Sequence, residues 1–356
     1  MTGTRCLIAL VLGLALAVGG CSAAPPPSPA PAAGPRPLPA SCTSRNTDPE
    51  QAKLALAAVL PGQTVCLSGA GLTSADLAVT RSGTAGEPIT VVADGATVRS
   101  MTVTADQVVV DGLTLIGGDG LTLHGRGLIA RHNVIIGAAA DGLVCIGCVD
   151  SLIESNTIRR ADGTGIYLAG ERITVRNNTV SESLRLTQGD ADGIRFFGSG
   201  HRLTGNTIKD ISASGYASDP RGGPHTDCFQ TYNTTHNPPT FDVVITDNVC
   251  TNVDVQCLIA TAEPGFRREA PPGQPVLTFE RNTCAVHGSQ AVFLENFPGV
   301  IVRDNHFSGP SYRAVALTKG STDCTVVGNS VAGRLRPYEI DRPSQPGFQA
   351  SGNVGG

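Results

Sequence analysis

An asparagine returns nine times in this chain, each time between short apolar runs: Asn133, Asn156, Asn178, Asn206, Asn248, Asn282, Asn305, Asn329 and Asn353. Most neighbours stand 22 to 24 residues apart, and the gaps widen only in the middle. A repeat of this period marks a solenoid, in which each unit buries its apolar face only by stacking on the next. The pattern inside the unit says which solenoid. Three residues before the Asn stand Ala130, Ile153, Val175, Leu203, Ile245, Phe279, Val302 and Val326; two after it stand Ile135, Ile158, Val180, Ile208, Cys250, Cys284, Phe307 and Val331. Both columns read as inward. The column two before the Asn is largely polar (Arg131, Glu154, Arg176, Thr204, Thr246, Glu280, Arg303, Val327) and reads as outward. That alternation is strand, not helix. No leucine consensus and no helical stretch recurs, which excludes a leucine-rich solenoid. The expectation is an all-β, single-stranded right-handed parallel β-helix. Each Asn amide can then donate to the carbonyl of the Asn one coil on, which solves its burial.

A second strand column runs between the Asn turns. It points Leu121, Leu143, Ile166, Ile194, Phe229, Leu258, Val292 and Val315 inward, and Thr122, Val144, Tyr167, Arg195, Gln230, Ile259, Phe293 and Ala316 outward. About ten coils at roughly 4.8 Å give a rod on the order of 50 Å long.

Residues 1–20 read as a signal peptide: Arg5, then an apolar stretch from Cys6 to Val18 that is too short to favour a spanning helix. Val18-Gly19-Gly20-Cys21 resembles a bacterial lipoprotein cleavage box, which implies lipidation of Cys21; the alternative is plain secretion. Residues 21–40 are a Pro/Ala-rich linker that cannot build a core, and 41–356 form the β-helix domain. The expectation is an exported, cell-envelope protein, lipid-anchored to the membrane and monomeric. Disulfides are permitted there. Cys42 and Cys66 bracket a predicted helix that Asp48 caps, Pro49 opens, Gln51 supports and Pro61-Gly62 ends, expected to lie as a lid over the first coil. Cys228 and Cys257 occupy equivalent places on consecutive coils, as do Cys250 and Cys284, so each couple reads either as a disulfide or as stacked thiols. Cys145 and Cys148 form the fourth expected pair, and Cys324 is left odd. The lone Cys-x-x-Cys has no second pair to complete a zinc site. A net charge of −4 offers nothing to a nucleic acid.

Long gaps in a solenoid mark loops on one face, often the binding face. Here Leu184–Ala191, Asp210–Thr226, Asn233–Phe241 and Thr261–Pro275 all widen the middle coils. Raised walls over a strand floor make a cleft suited to a polymer chain. The floor carries Asp190, Asp192, Arg195 and Phe197 from one coil and His225, Asp227, Gln230 and Tyr232 from the next, with Tyr167 before them and Glu263 after; Arg221 stands in the longest loop. In register, Asp192 and Asp227 are neighbours, a pair that invites a cation, a raised pKa or acid–base work. Each residue also has a plain reading. Asp precedes Gly at Asp119, Asp141 and Asp162 as well, so Asp192 can simply cap a turn; Arg195 can be a solvated surface cation; Tyr167 and Tyr232 can be packing. Nothing structural demands an imidazole at 225, after Gly222-Gly223-Pro224.

The Asn-laddered β-helix resembles the pectate-lyase-like superfamily over nearly all of residues 41–354, and the segment from Arg81 to Ala93 is similar to the opening of polysaccharide lyases of the chondroitinase-B and alginate-lyase type. The resemblance implies an acidic polysaccharide bound along the strand face, calcium as a cofactor, a basic residue on the uronate carboxylate and a His, Tyr, Lys or Arg base. By chemistry, Arg195 maps to the first role, His225 to the base, and Tyr232 or Tyr167 to the proton donor; Gln230, Phe197 and Arg221 would touch substrate, and Asp190, Asp192 and Asp227 would hold calcium. Pro224-His225-Thr226-Asp227 is loosely similar to the Asp-Pro-His-Glu motif of uronan epimerases. Ala191-Asp192-Gly193 and Thr226-Asp227-Cys228 echo the first two motifs of polygalacturonases, with Thr226 in place of one carboxylate and the third motif missing. The leading expectation is a β-eliminating lyase. A glycoside hydrolase or epimerase on the same fold, and a non-catalytic glycan-binding protein of the envelope, stand as alternatives. The chain has no Trp, so sugar-stacking platforms are scarce.

Overall fold

Asn133 donates its side-chain N–H to Oδ1 of Asn156 at 2.9 Å, Asn156 does the same to Asn178, and the relay runs unbroken through every later rung to Asn353. Each Oδ1 also accepts the backbone N–H of the preceding rung, and each amide also donates to a main-chain carbonyl, as from Asn206 to Val175 at 3.0 Å. A buried amide with every group paired costs the fold little. The residue before each Asn holds φ between 51° and 57° where it is not glycine (His132, Ser155, Asn177, Asp247, Arg281, Asp304). This left-handed residue turns the chain between two strands, which is why glycine replaces it before Asn206, Asn329 and Asn353.

The structure is a computed structural model that describes residues 41–186, 189–213, 225–269 and 273–355. Cys21, Arg221, the expected leader and the Pro/Ala-rich linker lie outside them. Every strand pairing is parallel, and the strands stack as three faces of a rod. The first face, which leads into the Asn turns, has thirteen strands from Ser44–Asn46 to Gln349–Ser351. The estimate of about ten coils was short because Thr64–Ser68, Ile89–Asp94 and Val108–Asp111 stack before the first ladder Asn and carry none of its signal. The second face follows the Asn (Thr157–Arg159, Thr179–Ser181, Thr207–Ile211, Val249–Val253, Thr283–Val286). The third face carries Leu143–Val149, Ile166–Glu171, Ile194–Ser199, Phe229–Asn233, Leu258–Ala262, Gln290–Glu295 and Arg313–Thr318. Its register is the expected one: Tyr167 beside Arg195, Arg195 beside Gln230, Gln230 beside Ile259, Ile259 beside Phe293. The inward row from Leu121 to Val315 is fully buried. Burying such side chains, at about 1.5–3 kcal/mol each, is what drives stacking; the ladder fixes register.

The lid is present. Helix Pro49–Ala58 starts at Asp48, whose carboxylate accepts from Glu50 N at 3.0 Å and Gln51 N at 3.2 Å, and it buries Ala52 and Leu56 on the first coils. It ends before Pro61-Gly62 because Val59 is already extended. Cys42 is bonded to Cys66, and Cys145 to Cys148, as expected; Cys324 is free and buried. Among the described residues, no helix is long and apolar enough to cross a membrane.

The other two pairings differ from expectation. Cys228 bonds Cys250, and Cys257 bonds Cys284, so each disulfide crosses the interior of one coil instead of joining consecutive coils. In-register neighbours point their Cβ atoms in the same direction, which keeps their sulfurs side by side; residues on opposing faces point at each other. The same position one, two and three coils earlier is Gly193, Gly165 and Gly142, where an added Cβ would come within 2.5 Å of Ile208, 2.2 Å of Val180 and 2.5 Å of Ile158 respectively. Those three branched residues stack in the column that continues as Cys250 and Cys284. The glycine–aliphatic contact of the early coils becomes a cystine in the later ones.

Candidate functional site

The strands of the third face begin at a turn whose polar residue changes from coil to coil: Asp141, Thr164, Asp192, Asp227, Gln256 and Gln290, each two residues before the aligned inward positions. One side-chain oxygen does structural work. Oδ1 of Asp141 accepts Thr164 N at 2.6 Å, Oδ1 of Asp192 accepts Asp227 N at 3.1 Å, and Oδ1 of Asp227 accepts Gln256 N at 2.7 Å. The turn-capping reading of Asp192 is therefore correct for half of its carboxylate.

The other oxygens face a charged cluster. Asp192 is fully buried, and its Oδ2 takes Arg195 Nε at 3.0 Å; Asp190 Oδ2 takes Arg195 Nη2, also at 3.0 Å. Burial works against the Arg195 charge, yet Asp192 and Asp190 outweigh it and push the guanidinium further up. Burial pushes the Asp192 carboxyl up, Arg195 pulls it down, and Asp227 and Asp190 add to the rise; burial also raises the fully enclosed Asp227. Oδ2 of Asp227 has no hydrogen-bond partner among the described residues, and His225 Nδ1 stands 3.5 Å away, long for a hydrogen bond but close for an ion pair. Asp227 is the largest influence on His225 and lifts its imidazole to about 9 against the opposing effect of burial. Half of the His225 side chain is exposed, and its backbone N–H donates to Asp190 Oδ1 at 3.2 Å.

This cluster opens onto a groove of about 360 Å³. Asp190 and His225 line one end, Gln230, Thr231, Tyr232, Ile259, Thr261 and Phe293 the floor, and Asn233, Thr234, Glu263 and Glu295 the far end. Two atoms along it, Gln230 Oε1 and Asn233 Nδ2, are buried without a hydrogen-bond partner among the described residues. Orphaned acceptors and donors in a groove are what a polyhydroxylated ligand satisfies.

A family model described as "Right handed beta helix region" matches residues 119–331, well over half of the chain. The chain belongs to that family. Comparison with curated protein sequences yields no match. Among solved structures it is similar to an alginate lyase from Paenibacillus sp. str. FPU-7, at 17% identity, over 87% of this chain and 98% of that one, with a TM-score of 0.47. It is also similar to a double mutant of the tailspike protein of E. coli bacteriophage HK620, at 10% identity, over 88% of this chain and 64% of that one, with a TM-score of 0.60. The same tailspike in complex with pentasaccharide matches at 10% identity and a TM-score of 0.52, over 83% of this chain and 60% of that one. The chain thus spans less than two thirds of the tailspike chains, and the likeness is one of fold.

Within this right-handed β-helix, the structure brings together Asp190, Asp192, Arg195, His225, Asp227, Gln230 and Tyr232. It moves three expected residues out of their roles. Phe197, expected to touch substrate, is fully buried; its ring packs between Tyr167 at 5.6 Å and Tyr232 at 4.8 Å. Tyr167 lies on the N-terminal side of that stack, outside the groove, and burial is the main cause that raises its phenol. Arg195 is not open to clamp a carboxylate: only 13% of its side chain is exposed, and its guanidinium already serves two Asp residues. The three carboxylates expected to hold calcium do not fit the ion as arranged, because that guanidinium stands between Asp190 and Asp192 as their counter-charge. Among the described residues, the one close group of metal-ligating types is Cys228, Cys250 and Cys257, whose sulfurs are in disulfides. Glu295 and Asn233 were missed. Glu295 was legible, since it lies two residues beyond Phe293 on the same outward alternation; Asn233 was not, because alternation alone points it inward.

Proposed function

We propose that this chain is an exported carbohydrate-active protein that binds an acidic polysaccharide along the third face and cleaves it by β-elimination. The observation that carries the reading is the His225–Asp227 pair at the mouth of a polar groove whose floor holds unpaired hydrogen-bonding atoms. Support for a glycan comes from the shape of the groove and from the tailspike of like fold that is seen with a pentasaccharide. Four disulfides fit an oxidising compartment.

The roles follow from the electrostatics. His225 is a cation at neutral pH because of Asp227, and a cation cannot accept a proton. Its neutral form, the base for the proton α to the uronate carboxyl, becomes available as pH climbs toward about 9. Tyr232, on the groove floor, returns a proton to the leaving oxygen. The Gln230 side chain carries amide N–H groups for the substrate carboxylate. Arg195 holds Asp190 and Asp192 in place and is a positioning residue. Activity on a panel of uronans, followed by absorbance of the unsaturated product, tests this; rates should rise between pH 7 and 9. An absent product with every uronan, or unchanged activity in His225→Ala, removes the elimination.

A hydrolytic reading is favoured by one observation: Asp190, Glu263 and Glu295 line the same groove, and glycoside hydrolysis needs two carboxyl groups. Saturated product ends would select it. Binding without turnover would leave a glycan-binding protein.

A further inference from the structure

Glu295 also lines a second, larger hollow of about 610 Å³, together with Ala262, Pro264, Gly265, Arg267, Asn296 and Lys319. Its charge differs from that of the first groove. There, three carboxylates face one imidazole; here, Arg267 and Lys319 face the single carboxylate of Glu295.

The hollow is held open by its own contacts. Its wall is the loop that follows strand Leu258–Ala262, and later coils pin the described part of it, residues 263–269, at two places. Asn296 Nδ2 donates to Ala262 O at 3.0 Å at the near end. At the far end, the Arg267 guanidinium donates to Gly320 O and to Thr322 Oγ1, on the coil that carries Lys319. Preformed donors bind without an ordering cost.

Among the described residues, the donors are not exhausted. Arg267 has five N–H groups; Gly320, Thr322 and Glu269 account for three. Lys319 Nζ has three, and Glu295 Oε1 takes one at 2.8 Å. Glu269, which pairs with Arg267 at 2.6 Å, is not among the lining residues, and those that line the hollow themselves are two cations and one carboxylate.

Resting on the function proposed above, we infer that this hollow is an anionic subsite, which takes the carboxylate or sulfate of a sugar unit further along the same chain from the one held at His225. The two regions divide the labour: the acidic end shapes proton transfer, and the cationic end selects an acidic polymer and sets its register. A neutral glycan gains nothing from the second.

Calorimetric binding of saturated oligouronides of two to eight units to the whole protein tests this, alongside the same oligomers with their carboxyls reduced to alcohols. Lys319→Gln should weaken the longest oligouronide about threefold to fivefold, an effect expected of one largely exposed charge contact. The loss should grow with oligomer length, shrink at high salt and be restored by Lys319→Arg. Carboxyl-reduced oligomers should bind wild type and variant alike. Binding of the long oligouronides that is unchanged in both Lys319→Gln and Lys319→Glu overturns the subsite while leaving the function intact. Normal length-dependent binding with no cleavage overturns the elimination while upholding the subsite. No binding of any oligouronide by the wild type overturns both.

Discussion

Two polar columns climb the same rod. The Asn column repeats one residue, and every rung is paired in the same way, with amide-to-carbonyl distances of 2.9 to 3.1 Å throughout. The column at the entrance to the third face passes from Asp141 to Thr164, Asp192, Asp227 and Gln256. It leaves Thr164 Oγ1, Asp227 Oδ2 and Gln256 Oε1 without hydrogen-bond partners among the described residues. The stacking geometry is shared, so the difference is chemical. A self-complementary side chain saturates itself and holds register; the mixed column caps turns through Oδ1 of Asp141, Asp192 and Asp227 and leaves the second oxygens of Asp192 and Asp227 to Arg195 and His225.

The comparison breaks most visibly at the unsaturated column. His225→Ala should lower the proposed elimination rate by roughly a hundredfold to ten-thousandfold, and should lower the unfolding midpoint only below about pH 9, where the imidazolium pairs with Asp227, as steady-state rates and melts at two pH values would show. Asp227→Asn keeps an oxygen for Gln256 N but removes the charge that holds the His225 proton, so activity should fall, while stability should change little above about pH 9, where His225 is neutral. A large loss of stability there would mean that Asp227 belongs with the structural ladder. The Asn column should behave in the opposite way. Asn206→Ala strands the backbone and side-chain N–H groups of Asn178, both 3.0 Å from its Oδ1, and should cost on the order of 4 kcal/mol in denaturant unfolding. Next in size, replacing Cys257 and Cys284 together by Ala should cost about 3 kcal/mol, and peptide mapping of the oxidised protein should recover Cys228 with Cys250. Smallest is Glu154→Gln on the outer first face, where Arg176 Nε lies 2.8 Å from the carboxylate: an exposed pair contributes under about 1 kcal/mol.

pH sharpens the same contrast. His225 is raised in the folded chain, so its contribution to stability is complete below the unfolded value of about 6.5 and is lost as pH climbs through about 9. The His225→Ala protein should lack that decline, and the Asn ladder, which does not titrate, should add no slope of its own.

The rod was legible because period and burial act together: Ile153, Val175 and Leu203 announce themselves by type, and a slip of one residue would turn them outward. The third-face register came the same way, so Arg195 and Gln230 were correctly set side by side. What register does not convey is where a side chain goes from its Cα. Arg195 stands in the outward row yet folds back onto Asp190 and Asp192. Phe197 is outward by alternation and buried by the two tyrosines beside it. The cystines failed for a related reason, since axial neighbours were paired where facing residues bond. The signal was present, however: glycine gives way to Cys228 on the very coil where Ile208 gives way to Cys250. The hollow at Arg267 and Lys319 was invisible because a loop and a distant coil meet there without any repeat to mark them.

The central claim is that the buried Asp227 carboxylate, held through Oδ1 by Gln256 N of the next coil, stands against the His225 imidazole two residues before it. An NMR titration of the labelled His225 ring in wild type and in Asp227→Asn reads that contact without reference to any substrate. The account predicts a midpoint of about 9 that falls toward the ordinary histidine range in the variant. A wild-type midpoint already in the ordinary range, unmoved by Asp227→Asn, would contradict it.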